Sequence, residues 1–191
     1  MSICDVAAVC APRVKEATRV SHATAEEVMM PLITGATTPH RYAALLQKLY
    51  GFYHPLEQLI QPFSAELQLP YSLEKSGLLV QDLVQLGSRE KGTLCAQMPV
   101  IENRYDALGA LYVLEGAALG GRIIARMLSV HKDLPPSAFA FFEGRGKETG
   151  PHWTQFTQLM NHQARTESQI AQVCAAASAT FERHTEWMKT P

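Results

Sequence analysis

The chain has almost no excess charge of either sign. Lysine and arginine number 17 against 18 aspartate and glutamate, a formal net charge of −1. Such a balance exerts no global pull on nucleic acid or an anionic membrane, so neither is an expected partner and any basic site must be local. Four cysteines, Cys4, Cys10, Cys95 and Cys174, are scattered, with no CxxC pair and no histidine close enough to complete a zinc pattern. They are expected to be free thiols of a reducing compartment, the cytoplasm by default. Cys95 falls in an apparent loop and Cys174 among alanines with no basic neighbour, so neither reads as an activated nucleophile.

Other absences narrow the field further. No GxGxxG follows a strand pattern, so no flavin or NAD site is expected. No Glu-x-x-His pair occurs, which argues against a di-iron carboxylate bundle. No run reaches the roughly 20 apolar residues of a membrane span. The richest stretch, 108–128, is interrupted by Glu115, Arg122 and Arg126. The first basic residue, Arg13, is followed by no apolar run, and the chain ends in a polar helical pattern. Neither a leader nor a tail anchor is expected.

What is present is helical periodicity. The 47% apolar content of 191 residues fits a single domain, 1–191, with residues 1–11 expected to be flexible. Pro12 opens a helix running to about residue 28. Thr38-Pro39 then supplies a cap and a first-turn proline. The helix after it carries Tyr42, Leu45, Leu46, Leu49, Phe52, Leu56, Leu59, Ile60 and Phe63 on one face, with Pro55 expected to kink it. Further helices are expected over 73–86, ending at Gly87, and over 104–130, 153–161 and 165–189. Pro135-Pro136 and the stretch Gly144, Gly146, Gly150, Pro151 mark loops around a short Phe-rich segment. Strand signals stay at background. The expected fold is all-α, a bundle of seven or eight helices.

The first helix carries Lys15, Arg19, His22 and Glu26 at offsets of 4, 7 and 11. At about 100° per residue these fall within a stripe about 60° wide, beside the apolar face of Val14, Ala17, Ala25 and Val28. Two cations, an imidazole and a carboxylate suit a haem, whose iron takes a neutral imidazole and whose propionates take cations. Glu26 is placed to orient the imidazole through its other ring nitrogen. A solvated face with ordinary charge pairs one turn apart fits the spacing equally.

The helix over 104–130 carries Gly116, Gly120 and Gly121. Interior glycines cost about 0.8–1.0 kcal/mol each relative to alanine, roughly 3 kcal/mol for the three. Such a concentration suggests that something lies against bare backbone. That something is either a flat ligand or a second helix at a seam of small residues.

Taken together, these segments resemble the heme oxygenase family, in its bacterial, biliverdin-producing form. Lys15-Glu16-Ala17-Thr18-Arg19-x-x-His22-x-x-x-Glu26 resembles its first helix. Leu49-Tyr50-Gly51-Phe52-Tyr53-x-Pro55-Leu56-Glu57 resembles its second. Leu111-Tyr112-Val113-Leu114-Glu115-Gly116-x-x-Leu119-Gly120-Gly121 resembles its glycine-rich distal helix. The resemblance implies a bundle with haem sandwiched between the first and the glycine-rich helices. His22 would be the axial ligand, supported by Glu26, with Lys15 and Arg19 near the propionates. Gly116 and Gly120 would present backbone to the distal face and Tyr53 would join its hydrogen-bond network. Tyr112, Gly121 and a late aromatic, Phe181, complete the implied haem contacts. Many members place an aspartate directly after the first distal glycine, and this chain has Ala117 there.

The implied reaction opens haem to biliverdin with O2 and external electrons, releasing CO and ferrous iron. A ferredoxin or a flavin reductase is the implied donor. A haem carrier or sensor of the same fold, without turnover, is the alternative. The other histidines, His40, His54, His131, His152, His162 and His184, are expected at surfaces or caps. Trp153, Trp187, Phe139, Phe141 and Phe142 are expected in the core, and Lys75 and Lys91 outside the site.

Overall fold

A computed structural model describes residues 9–190 as eight α-helices, with no strand among the described residues. They are α1 (Cys10–Ala17), α2 (Arg19–Gly35), α3 (Pro39–Ile60), α4 (Lys75–Gln85), α5 (Arg104–Leu128), α6 (Ala140–Glu143), α7 (Thr149–Gln163) and α8 (Glu167–Lys189). Local signals account for several of the boundaries. Thr38 accepts the Arg41 N–H and Pro39 begins α3. Asn103 caps α5, and Thr166 with Gln169 forms a capping box on α8. Gly87, with φ +74°, closes α4: the Ser88 N–H reaches the Leu83 carbonyl and the Gly87 N–H the Val84 carbonyl.

The expected first helix is two. Thr18 is buried, and its hydroxyl donates to the Val14 carbonyl at 2.8 Å, a back-bond that bends helices. The ladder nevertheless carries on across the bend: the Thr18 N–H meets the Val14 carbonyl and the His22 N–H the Thr18 carbonyl. The stripe on α1 and α2 therefore keeps its register. Of residues 1–11, 1–8 lie outside the described residues. Cys10 and Ala11 belong to α1 and are buried. Gly150 and Pro151 fall in the first turn of α7 rather than in a loop, where the missing proline N–H disturbs nothing.

Pro55 leaves the Gly51 carbonyl without its helical partner, and α3 still runs unbroken to Ile60. That carbonyl accepts the Cys95 N–H at 2.8 Å, so the long α4–α5 connection docks where the proline freed an acceptor. Gly51 allows the approach, since a methyl group there would strike the Thr93 carbonyl and Trp187. Helix α3 is buried on more than one stripe: Tyr50, Tyr53 and Glu57 join the expected core, while Leu59 is exposed and Phe63 half-buried.

Helices α5 and α8 form the central pair. Gly109 lies against α8, where a methyl group would sit 2.5 Å from the Val173 carbonyl oxygen. Helix α5 is long and apolar enough to cross a membrane, with a mean hydropathy of 1.4 over its richest window. Half of that window is buried inside the bundle. Asp82 of α4, fully buried, accepts the Ala140 and Phe141 N–H groups at 2.8 and 2.9 Å and so caps α6. Burial pushes its pKa up to about 6 against the pull of those two bonds.

Candidate haem site

Helices α2 and α5 stand on either side of a cavity of about 690 Å³, with α3, α6 and α8 contributing further wall. Its size is that of a site for a medium-sized organic ligand. Lys15, Arg19, His22, Glu26, Tyr53, Tyr112, Gly116, Gly120, Gly121 and Phe181, the residues indicated by the sequence, all line it. Four stretches of chain far apart in sequence thus meet at one void.

On the α2 side the polar stripe is half open. The His22 side chain is 54% exposed, and its Nδ1 lies 3.7 Å from Glu26 Oε2, a charge contact longer than a hydrogen bond. Its ring meets that of Phe181 at 5.4 Å and 83°, a T-shaped contact from the α8 side. Arg19 reaches Glu16 at 3.4 Å in an exposed pair, worth little to stability.

On the α5 side the glycines divide into two kinds. A methyl group on Gly120 would meet nothing within 4 Å, and one on Gly116 would make only ordinary contact with Trp153 at 3.6 Å. These two do not hold a helix–helix seam. Gly121 does: a methyl group there would drive into the Phe142 carbonyl, so α6 can approach α5 only over bare backbone. Gly121 therefore borders the cavity and packs α6 at once.

Tyr53 is buried, edge-on to Phe141 at 5.2 Å, and its pKa is raised by burial and by the nearby Glu57 and Glu115 carboxylates. Phe141, Phe142 and Trp153, expected in the core, line the cavity as well. His184, expected at the surface, is 8% exposed and also lines it. It meets Phe52 at 5.1 Å and Tyr53 at 6.3 Å, and its Nε2 has no hydrogen-bond partner. Burial pushes its pKa down to about 4, leaving a neutral imidazole. The signal was its spacing: Phe181, His184 and Met188 share one face of α8, all buried.

The heme oxygenase family model matches residues 9–190, virtually the whole described chain. The chain belongs to the heme oxygenase family. A curated heme oxygenase of Xanthomonas campestris pv. campestris is 36% identical over 73 residues, 38% of this chain and 44% of that protein. The matched stretch thus spans less than half of that relative. The fold is similar to that of the heme oxygenase from Neisseria meningitidis, solved with NO and CO bound, at a TM-score of 0.80 and 20% identity. That likeness covers 96% of this chain and 92% of the other. The heme oxygenase from Leptospira interrogans gives a TM-score of 0.77 at 15% identity, covering 95% and 98%.

Set in the heme oxygenase fold, a further group of side chains adjoins the glycine wall, and the sequence motifs did not single it out. Lys75, expected outside the site, lines the cavity. Its Nζ lies 3.6 Å from Glu115 Oε2, and both side chains are largely buried. His152, expected at a surface or cap, is 12% exposed and places Nε2 3.2 Å from the same oxygen. Burial lowers the pKa of both Lys75 and His152. The residues stand on three helices, so no local spacing announces them.

Proposed function

We propose that the protein is a heme oxygenase that binds haem in this cavity and opens it to biliverdin, releasing CO and ferrous iron. The observation that carries the reading is the convergence of the His22 stripe and the open glycines Gly116 and Gly120 on one void. The walls suit the ligand. A flat, largely apolar macrocycle gains from the exposed Leu119 and Ile123 and from Phe181, and bare backbone at Gly120 lets it approach α5. Lys15 and Arg19, at the cavity edge, are placed for its two carboxylates.

In this reading His22 would hold the haem iron through its imidazole, and Glu26 would steady the other ring nitrogen. Bound haem supplies the redox chemistry. The protein holds it, excludes bulk water and organises proton delivery. Electrons come from an external donor, a ferredoxin or a flavin reductase, and O2 is the co-substrate. The activity belongs in the cytoplasm, in water rather than in a membrane.

The carrier reading draws on one residue: Ala117 brings only a methyl group to the cavity wall. The decisive experiment supplies the hemin complex with O2 and a ferredoxin–reductase couple in the presence of catalase. Loss of the Soret band with release of a bilin and CO is the expected result. If catalase suppresses all bilin, peroxide is doing the chemistry and the carrier reading prevails.

A further inference from the structure

The Lys75–Glu115–His152 group is costly to hold. Lys75 is the first residue of α4, where the positive end of the helix dipole opposes a cation. It is also largely desolvated, and a buried ion pair often gains nothing over apolar residues of the same volume. The backbone start of α4 does not need it, because Glu57 of α3 already accepts the Lys75 and Ser76 N–H groups. Tying α4, α5 and α7 together is thus a weak reason for these three residues.

Their order in space offers a better one. Lys75 reaches the cavity, Glu115 lies behind it, and His152 lies beyond, with Tyr71 packed on the His152 ring at 4.4 Å. Arg145 covers Tyr71 at 5.3 Å and pairs with Glu74, and these two outermost side chains are 36% and 60% exposed. Two exchangeable-proton groups, Lys75 at the cavity and the 12% exposed His152 beyond it, thus meet at a single carboxylate oxygen, Glu115 Oε2. We propose that Lys75, Glu115 and His152 form a proton relay that feeds an oxygen acceptor in the cavity. This inference rests on the haem-degrading reading above.

Each turn of the relay moves one proton and no electrons. The Lys75 ammonium gives a proton to the acceptor oxygen, directly or through a water, and becomes the neutral amine. Glu115, whose 3.6 Å contact with Lys75 must close to hydrogen-bond length or be bridged by a water, passes the amine a proton taken from Nε2–H of the His152 imidazolium, and solvent reprotonates His152. Burial favours the neutral amine, as does the nearby Arg145 charge, while Glu115 and Glu57 hold Lys75 within reach of its charged form. At His152, burial opposes the cation and lowers the pKa, Glu115 favours the cation, and Arg145 and Lys75 oppose it. Opposing influences thus act on both groups, and in each the net shift is toward readier release of the proton.

The test separates charge from proton transfer. Lys75→Arg keeps the cation and its carboxylate partner but cannot release a proton. It is expected to bind hemin as the wild type does and to melt at the same temperature. Bilin formation should fall about 100-fold, the usual scale for losing a positioned acid. Lys75→Ala should fall similarly and recover in added methylamine. In the haem-free protein, the His152 titration followed by NMR should move down in Glu115→Gln and up in Lys75→Met. Wild-type turnover in Lys75→Arg would overturn the relay, as would a His152 titration indifferent to both changes. A wild-type protein that binds hemin and makes no bilin would instead contradict the proposed function and the relay with it, whereas a wild type that makes bilin beside an equally active Lys75→Arg would overturn the relay alone.

Discussion

A methyl group on Gly109 of α5 would press on the backbone of α8, whereas one on Gly120 of the same helix would enter empty space. The two glycines carry the same helix-propensity penalty, about 0.8–1.0 kcal/mol each. At Gly109 close approach of two backbones offsets it. At Gly120 nothing in the haem-free protein does. Open space alone does not mark a site, since Gly77 of α4 has it too, but Gly120 opens onto the cavity, where bare backbone suits the proposed ligand. Gly121 stands between them, bordering the cavity while packed against the Phe142 carbonyl.

The largest effect is expected at the packed position. Gly109→Ala forces a side chain between α5 and α8 where neither backbone can move aside, and should cost about 1–3 kcal/mol in denaturant unfolding. A variant as stable as the wild type would show that the helices do not meet so closely. Gly120→Leu should do the reverse. Its haem-free form should be as stable or up to about 1 kcal/mol more stable, while hemin affinity is lost. Lowered stability with hemin affinity kept would return Gly120 to the seam and remove the contrast.

Histidines extend the same comparison to pH. His22 stands half in solvent, and His184 is buried with its pKa pushed down to about 4. The folded state resists protonating His184, so the stability tied to its neutral form is complete above about pH 6.5. It is lost as pH falls toward about 4. His184→Gln should flatten that acid limb in a series of melting curves. An acid limb as steep as the wild type's would mean that burial does not hold His184 neutral.

The sequence made most of the helices, the Thr38-Pro39 cap and the polar stripe of the first helix legible, because each depends on residues within a turn or two of one another. Thr38-Pro39 and the α5 glycines are of this kind. The break at Thr18 was not legible, since it turns on which carbonyl one buried hydroxyl chooses. Nor was the full buried surface of α3, where Tyr50 and Glu57 depend on neighbours that arrive from elsewhere in the chain. His184 was obscured by its charged neighbours Glu182, Arg183 and Glu186, although its register with Phe181 carried the information. Lys75, Glu115 and His152 met only when three helices packed.

The central claim is that the cavity between α2 and α5 binds haem through His22. Hemin titrated into the purified protein should give a saturable one-to-one complex with the spectrum of a histidine ligand. His22→Ala should lose that spectrum and regain it when free imidazole is added. A His22→Ala protein that keeps the histidine-ligated spectrum unaided would contradict the claim.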